Sequence, residues 1–210
     1  MPALSSVNLT ESEKCRLLAL ARSSLVDSFD SVPAVNRPPT SYHQLPTSHC
    51  KLPDEAVIEL KLGCFVTLTL DGELKGCMGC IEGEQPLSKS IPDLATSSAF
   101  DDRRFSPLLE SQLGRVSIEI SLLSPLTPLN VSSQAQLEEY LARDHCGLVL
   151  KEEGLRAVFL PQVWEHFSGP KAFIDALKVK GGWPGNYWSD KIEVKLFKVI
   201  HFSEKSGLET

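Results

Sequence analysis

The chain has 210 residues, 42% hydrophobic and 23% charged, enough for one sizeable core or two small joined subdomains. Its formal net charge of −6 gives no overall field that favours nucleic acid. No apolar run approaches the roughly 20 residues that span a bilayer, so neither nucleic acid nor membrane is an expected partner. The opening MPALSSVNLTESEK has no basic segment followed by an apolar one, so no signal peptide is read there. The expected location is cytoplasmic, with Cys15, Cys50, Cys64, Cys77, Cys80 and Cys146 largely reduced.

Residues 10–29 read as an opening helix. Thr10 and Glu13 form a capping-box pattern, and Leu18, Ala21, Leu25 and Phe29 follow at helical spacing. SVPAVNRPPTSYHQLPTSH (31–49) is Pro-rich and aperiodic, an extended connection that carries His43 and His49. CFVTLTL (64–70) and ELKGCMGC (73–80) flank Asp71-Gly72, the strongest short hairpin signal. Pro86 suits the first position of a helix to about Phe100.

RVSIEISLL (115–123) alternates, with Val116, Ile118, Ile120 and Leu122 on one face and Ser117, Glu119 and Ser121 on the other. After the turn-rich SPLTPLN, Ser133 with Gln136 opens a short helix to about Arg143. GLVLKEEGLRAVFLP (147–161) reads as a second hairpin and PQVWEHF as a helical turn or two. KAFIDALKVK is an amphipathic helix closed by Gly181-Gly182, and KIEVKLFKVIHF (191–202) is a final strand. Mixed helices and antiparallel hairpins give an α+β class.

The C-x-x-C of Cys77 and Cys80 could be half a zinc site, a dithiol or two unrelated cysteines. A zinc ribbon needs a second pair, and no second C-x-x-C or H-x(3–5)-H is present. In a regular strand the two thiols also leave opposite faces. The motif therefore reads as coincidence, and no metal is expected. A two-residue loop sets Val66 opposite Cys77 and Cys64 opposite Gly79. Cys64 and Cys77 then lie diagonal, ~7–8 Å apart and beyond disulfide reach, unless a bulge at a glycine alters the register.

Gly76 and Gly79 weaken a strand unless something must approach the backbone there. Cys77 between them is either a small buried hydrophobe or the centre of a site.

LKGCMG resembles the signature of the AMME-chromosomal-region family, which includes protein A of the AmmeMemoRadiSam system, where the usual form is Leu-Arg-Gly-Cys-Ile-Gly. The resemblance runs from about 60 to 202 and includes GCFVTLTLDGELKGCMG, AFDDRRFSPL with Asp102, Arg104 and Phe105, SIEISLLSP, VFLPQVW and FIDALKVKGGWPGNYW. It implies an α+β fold of two intimately packed subdomains with the signature in a cleft between them. The family domain is placed at 51–205, with residues 1–50 a helix and connection of the same domain. Lys75 stands where Arg is usual, losing the planar fork, and Lys180-Gly181-Gly182-Trp183 stands for Lys-Ala-Gly-Leu. The resemblance brings no settled activity and no named cofactor, but implies Memo-type or radical SAM protein partners.

Four functions follow. In the first, an enzyme acts on a small anionic substrate with Cys77 as nucleophile and Glu119 as proton carrier. Lys75, on the face of Cys77, and the helix start near Pro86 would favour a thiolate with a pKa below the free value of roughly 8.5. Arg103, Arg104 and Asp102 lie at that helix's far end. In the second, Lys75, Gly76, Met78, Gly79, Asp102 and Arg104 bind an anion without covalent chemistry. A nucleic-acid or translation factor is disfavoured by charge and by the lack of RNP-like aromatic strands. The fourth presents Trp164 or the Trp183–Trp188 surface to a partner. Each residue also has a plain structural alternative, such as Arg104 pairing with Asp102, Glu119 anchoring Arg104, and His145-Cys146 as packing.

Overall fold

A computed structural model describes residues 8–30 and 56–204. The Pro-rich connection at 31–49, with His43, His49 and the neighbouring Cys50, lies outside them. The described residues fall into two compact units, 8–122 with 200–204, and 123–199. The α+β class holds: helices accompany two four-stranded sheets, and the strand pairs recorded are antiparallel.

In the first unit, helix α1 spans Glu11–Asp30. Its capping box forms as the sequence suggests: Thr10 N–H donates to Glu13 Oε2 at 2.7 Å and Glu13 N–H to Thr10 Oγ1 at 3.3 Å. Leu17, Leu18, Ala21 and Leu25 are buried. Phe29 packs edge-on against Phe100 with centroids 5.4 Å apart. Strands β1 (Cys64–Leu70) and β2 (Glu73–Cys80) form the expected hairpin, with Asp71 and Gly72 both at positive φ. Helix α2, Leu87–Phe100, has Pro86 as its N-cap. Strand β3, Val116–Leu123, buries Val116, Ile118, Ile120 and Leu122.

In the second unit come β4 (Thr127–Pro128), α3 (Gln134–Leu141), β5 (Gly147–Glu152), β6 (Leu155–Phe159), a 3-10 turn at Pro161–His166 and α4 (Pro170–Gly181). Ser133 caps α3 as expected, accepting from Gln136 N–H. Gly182, at φ 92°, closes α4 in the left-handed conformation. Trp164 and Phe173 stack 3.8 Å apart in the core, and Trp164 Nε1 donates to the Cys146 carbonyl at 2.9 Å. Lys178 is fully buried. Its Nζ donates to Gln134 Oε1 at 2.6 Å and the Tyr187 carbonyl at 3.0 Å, and pairs with Asp175 at 3.1 Å.

The final segment departs from a single strand. It breaks into β7 (Glu193–Phe197) and β8 (Val199–Ser203), which belong to different sheets, ordered β4-β7-β5-β6 and β2-β1-β3-β8. The break at Lys198 is held by Ser124, whose N–H donates to the Lys198 carbonyl at 2.8 Å. Ser124 Oγ accepts from Lys198 N–H at 3.0 Å. Strand β4 inside SPLTPLN was not visible as a strand, because two residues carry no period.

Candidate functional site

The site is built on β2, the edge strand of the first sheet. Leu70 faces Glu73 and Thr69 faces Leu74, as a two-residue loop dictates, but Leu68 faces Gly76. Lys75 is thus the extra residue of a β-bulge, and every later partner is displaced by one. Thr67, not Val66, faces Cys77, and Cys80, not Gly79, faces Cys64. The bulge also interrupts the alternation on which a shared Lys75–Cys77 face depends. Lys75 Nζ donates to Ser106 Oγ at 3.0 Å.

Helix α2 accounts for this register. The buried Ser98 hydroxyl donates to the Val66 carbonyl at 2.8 Å and accepts from Met78 N–H at 2.9 Å, so it bridges β1 and β2. A Cβ on Gly76 would stand 1.9 Å from the Ser98 carbonyl oxygen. A Cβ on Gly79 would stand 2.2 Å from the Phe65 ring and 2.6 Å from the Cys64 oxygen. The close approaches that the two glycines allow are therefore made by the protein itself.

The Cys77 backbone faces the open edge and is held there. Its N–H donates to Asp102 Oδ2 at 2.9 Å, and its carbonyl accepts from Arg104 Nη2 at 3.3 Å. Arg104 Nε and Nη2 clasp Asp102 at 2.9 and 2.7 Å. The Arg104 hydrogen bond, followed by that from Cys77 N–H, holds the Asp102 carboxyl well below the usual carboxylate range. Asp102 in turn raises Arg104 above its ordinary value. The Arg104 side chain is 61% exposed although paired, while that of Asp102 is 5% exposed. This is the Asp102–Arg104 pairing anticipated as the structural alternative.

On the other face of the sheet, Cys77, Thr67 and Glu119 form one row across β2, β1 and β3. Thr67 Oγ1 donates to Cys77 Sγ at 3.3 Å. All three are half-buried. Thr67, Ser98 and Ser106 were not singled out in the sequence. Strand alternation places Thr67 on a face with Phe65 and Thr69, but only the bulged register brings it to Cys77. Among the described residues no group of three or more His, Cys, Asp or Glu could hold a metal ion, and no helix is long and apolar enough to cross a membrane.

The model of the AMMECR1 family matches residues 18–202, most of the chain. The protein belongs to the AMMECR1 family. It is 35% identical to Nanoarchaeum equitans protein NEQ441, over 73% of this chain and 88% of that one. It is 31% identical to a Methanothermobacter thermautotrophicus protein over 77% of this chain and 86% of that one. Its fold resembles the crystal structure of the uncharacterized Pyrococcus horikoshii protein PH0010, with a TM-score of 0.72 at 22% identity, covering 94% of each chain.

The AMMECR1 match reaches back into α1, beyond the resemblance read from about residue 60. The departure from Lys-Ala-Gly-Leu also has a physical account. A Cβ on Gly181 would stand 2.1 Å from the Trp183 ring, so the smaller residue makes room for the larger one two places on. Trp183 and Trp164 are 6% and 7% exposed, packed in the core rather than presented as a surface. His145 stacks on Trp164 with centroids 4.4 Å apart, in keeping with a packing role for His145-Cys146.

Proposed function

We propose that the β2 segment of this AMMECR1-family protein is a cysteine-centred site for a small molecule bearing an anionic group. Cys77 is its nucleophile and Glu119 its proton carrier, in one cross-strand row with Thr67 between them. Lys75 and Arg104 bind the anion with the backbone of Gly76, Met78 and Gly79, and Asp102 positions Arg104. The observation that carries this reading is the pairing of two features at one residue. The Cys77 backbone is pinned by Asp102 and Arg104, and its sulfur accepts a hydrogen bond from Thr67 in a row that ends on a carboxylate. A nucleophile held in fixed position with a cation at its backbone meets the positioning requirement of acyl or group transfer.

A non-catalytic anion-binding module is the second reading. In its favour, Gly76 and Gly79 are accounted for by Ser98 and Phe65, so neither glycine argues for chemistry at the sulfur. Thermal stabilisation by phosphate tests the anion site, because ligand stabilisation follows RT ln(1 + [L]/Kd). Lys75→Ala and Arg104→Ala are expected to reduce it and Cys77→Ser to leave it intact. An unchanged shift in both cation variants would remove the anion from this site. Memo-type and radical SAM proteins are the partners to test by co-purification.

A further inference from the structure

Cys77 and Cys80 are three positions apart in sequence but not paired in space. Gly76, Met78 and Cys80 share the face on which Gly76 meets α2, while Cys77 faces Thr67 on the other. The partner of Cys80 is Cys64, directly opposite it on β1. Cys64 is fully buried and Cys80 half-buried. We propose that Cys64 and Cys80 form a reversible cross-strand disulfide when the protein meets a peroxide.

The geometry allows the bond but does not relax it. The Cys77 N–H and carbonyl point to the open edge, so alternation turns those of Cys80 inward, making Cys64 and Cys80 a hydrogen-bonded pair. Such pairs have Cα atoms about 5.5 Å apart, within the ~4.4–6.8 Å that a disulfide spans. Their Cβ atoms, ~4.5–5.5 Å apart, exceed the ~3.5–4.5 Å of an unstrained bridge. The bond is therefore of the readily reduced, switching kind rather than a permanent staple.

The order of events follows from access. Cys80, which solvent reaches, attacks a peroxide oxygen. The O–O bond breaks, Cys80 becomes a sulfenic acid, and the departing hydroxide takes the thiol proton as water. The Cys64 sulfur then attacks the Cys80 sulfur, the S–O bond breaks, and the second hydroxide leaves with the Cys64 proton. Two thiols lose two electrons and one peroxide becomes two waters. Burial, the main cause, and Cys80 push the Cys64 thiol up to about 12, which keeps Cys64 from reacting first.

The test uses the full chain, native and reduced, treated with hydrogen peroxide, blocked with N-ethylmaleimide and digested without reductant. Mass spectrometry is expected to find one peptide pair linking Cys64 to Cys80, lighter by two hydrogens than the sum. Dithiothreitol should return both thiols. Cys80→Ser should lose the pair while keeping the parent's urea midpoint, and Cys77→Ser should retain it. Three outcomes would overturn the proposal: Cys80 reaching sulfinic acid unlinked, Cys80 linked to any cysteine other than Cys64, or loss of the link in Cys77→Ser. Because the link does not require Cys77, its failure and the failure of the Cys77 reading are separate results.

Discussion

Gly76→Ala separates two accounts of the signature segment. The added methyl would stand 1.9 Å from the Ser98 carbonyl oxygen, against 3.4 Å for an ordinary contact, so α2 must withdraw by about 1.5 Å (3.4 − 1.9). Overpacking of this kind costs about 1–3 kcal/mol. Withdrawal also breaks both bonds of the Ser98 hydroxyl, at 2.8 and 2.9 Å, each worth ~1 kcal/mol net. The expected loss is about 3–5 kcal/mol. With a urea m-value of about 2 kcal/mol/M, the midpoint falls by roughly 2 M. Gly114→Ala is the control, because nothing lies within 4 Å of its added Cβ, and it should stay within ~0.5 kcal/mol of the parent. If Gly76→Ala unfolds together with Gly114→Ala while stabilisation by phosphate disappears, Gly76 serves a ligand and the packing argument is wrong.

Timed iodoacetamide labelling of native protein should reach Cys77 first. Cys64 and Cys146, both pushed to about 12 chiefly by burial, should stay silent until unfolding. Thr67→Val, which removes the hydroxyl at 3.3 Å from the sulfur, should slow Cys77 labelling roughly 2- to 10-fold. Cys77 labelling no faster than the exposed Cys15 would end the nucleophile reading. Asp102 has its folded pKa held below the ordinary 3.8 by Arg104 and Cys77 N–H, so the unfolded chain binds the proton more readily. The stability it confers is full above pH ~5 and is lost as pH falls through and below 3.8. The urea-midpoint gap between parent and Asp102→Asn should narrow over that window, and a gap that widens with acid would contradict the assignment. Lys178→Met, at the fully buried ammonium, should cost about 2–4 kcal/mol in urea unfolding. Lys171→Met, which pairs with the same Asp175 from a side chain 72% exposed, should change little. Equal effects would refute the burial argument.

The motifs that carry the family resemblance, from LKGCMG to FIDALKVKGGWPGNYW, are displayed in order by the sequence alone. So are the features governed by neighbours a few positions away. Asp71-Gly72 makes the β1–β2 hairpin because both residues tolerate positive φ, Thr10 and Glu13 cap α1 reciprocally, and alternation buries Val116, Ile118, Ile120 and Leu122. The bulge at Lys75 is different. It turns on Ser98, more than 20 residues away in sequence, placing its hydroxyl between two strands, and no local pattern in LKGCMGC contains that contact. One residue of register then decides whether Cys77 meets Val66 or Thr67, and whether Cys64 meets Gly79 or Cys80. The break at Lys198 has the same character, since its backbone is held by Ser124 from a distant part of the chain. Composition and period determine which residues seek a strand, a helix or the interior. Which side chains meet was decided by tertiary packing, because a hydroxyl or carbonyl arriving from a distant element shifts pairing by one residue at little energetic cost while changing every partner beyond it.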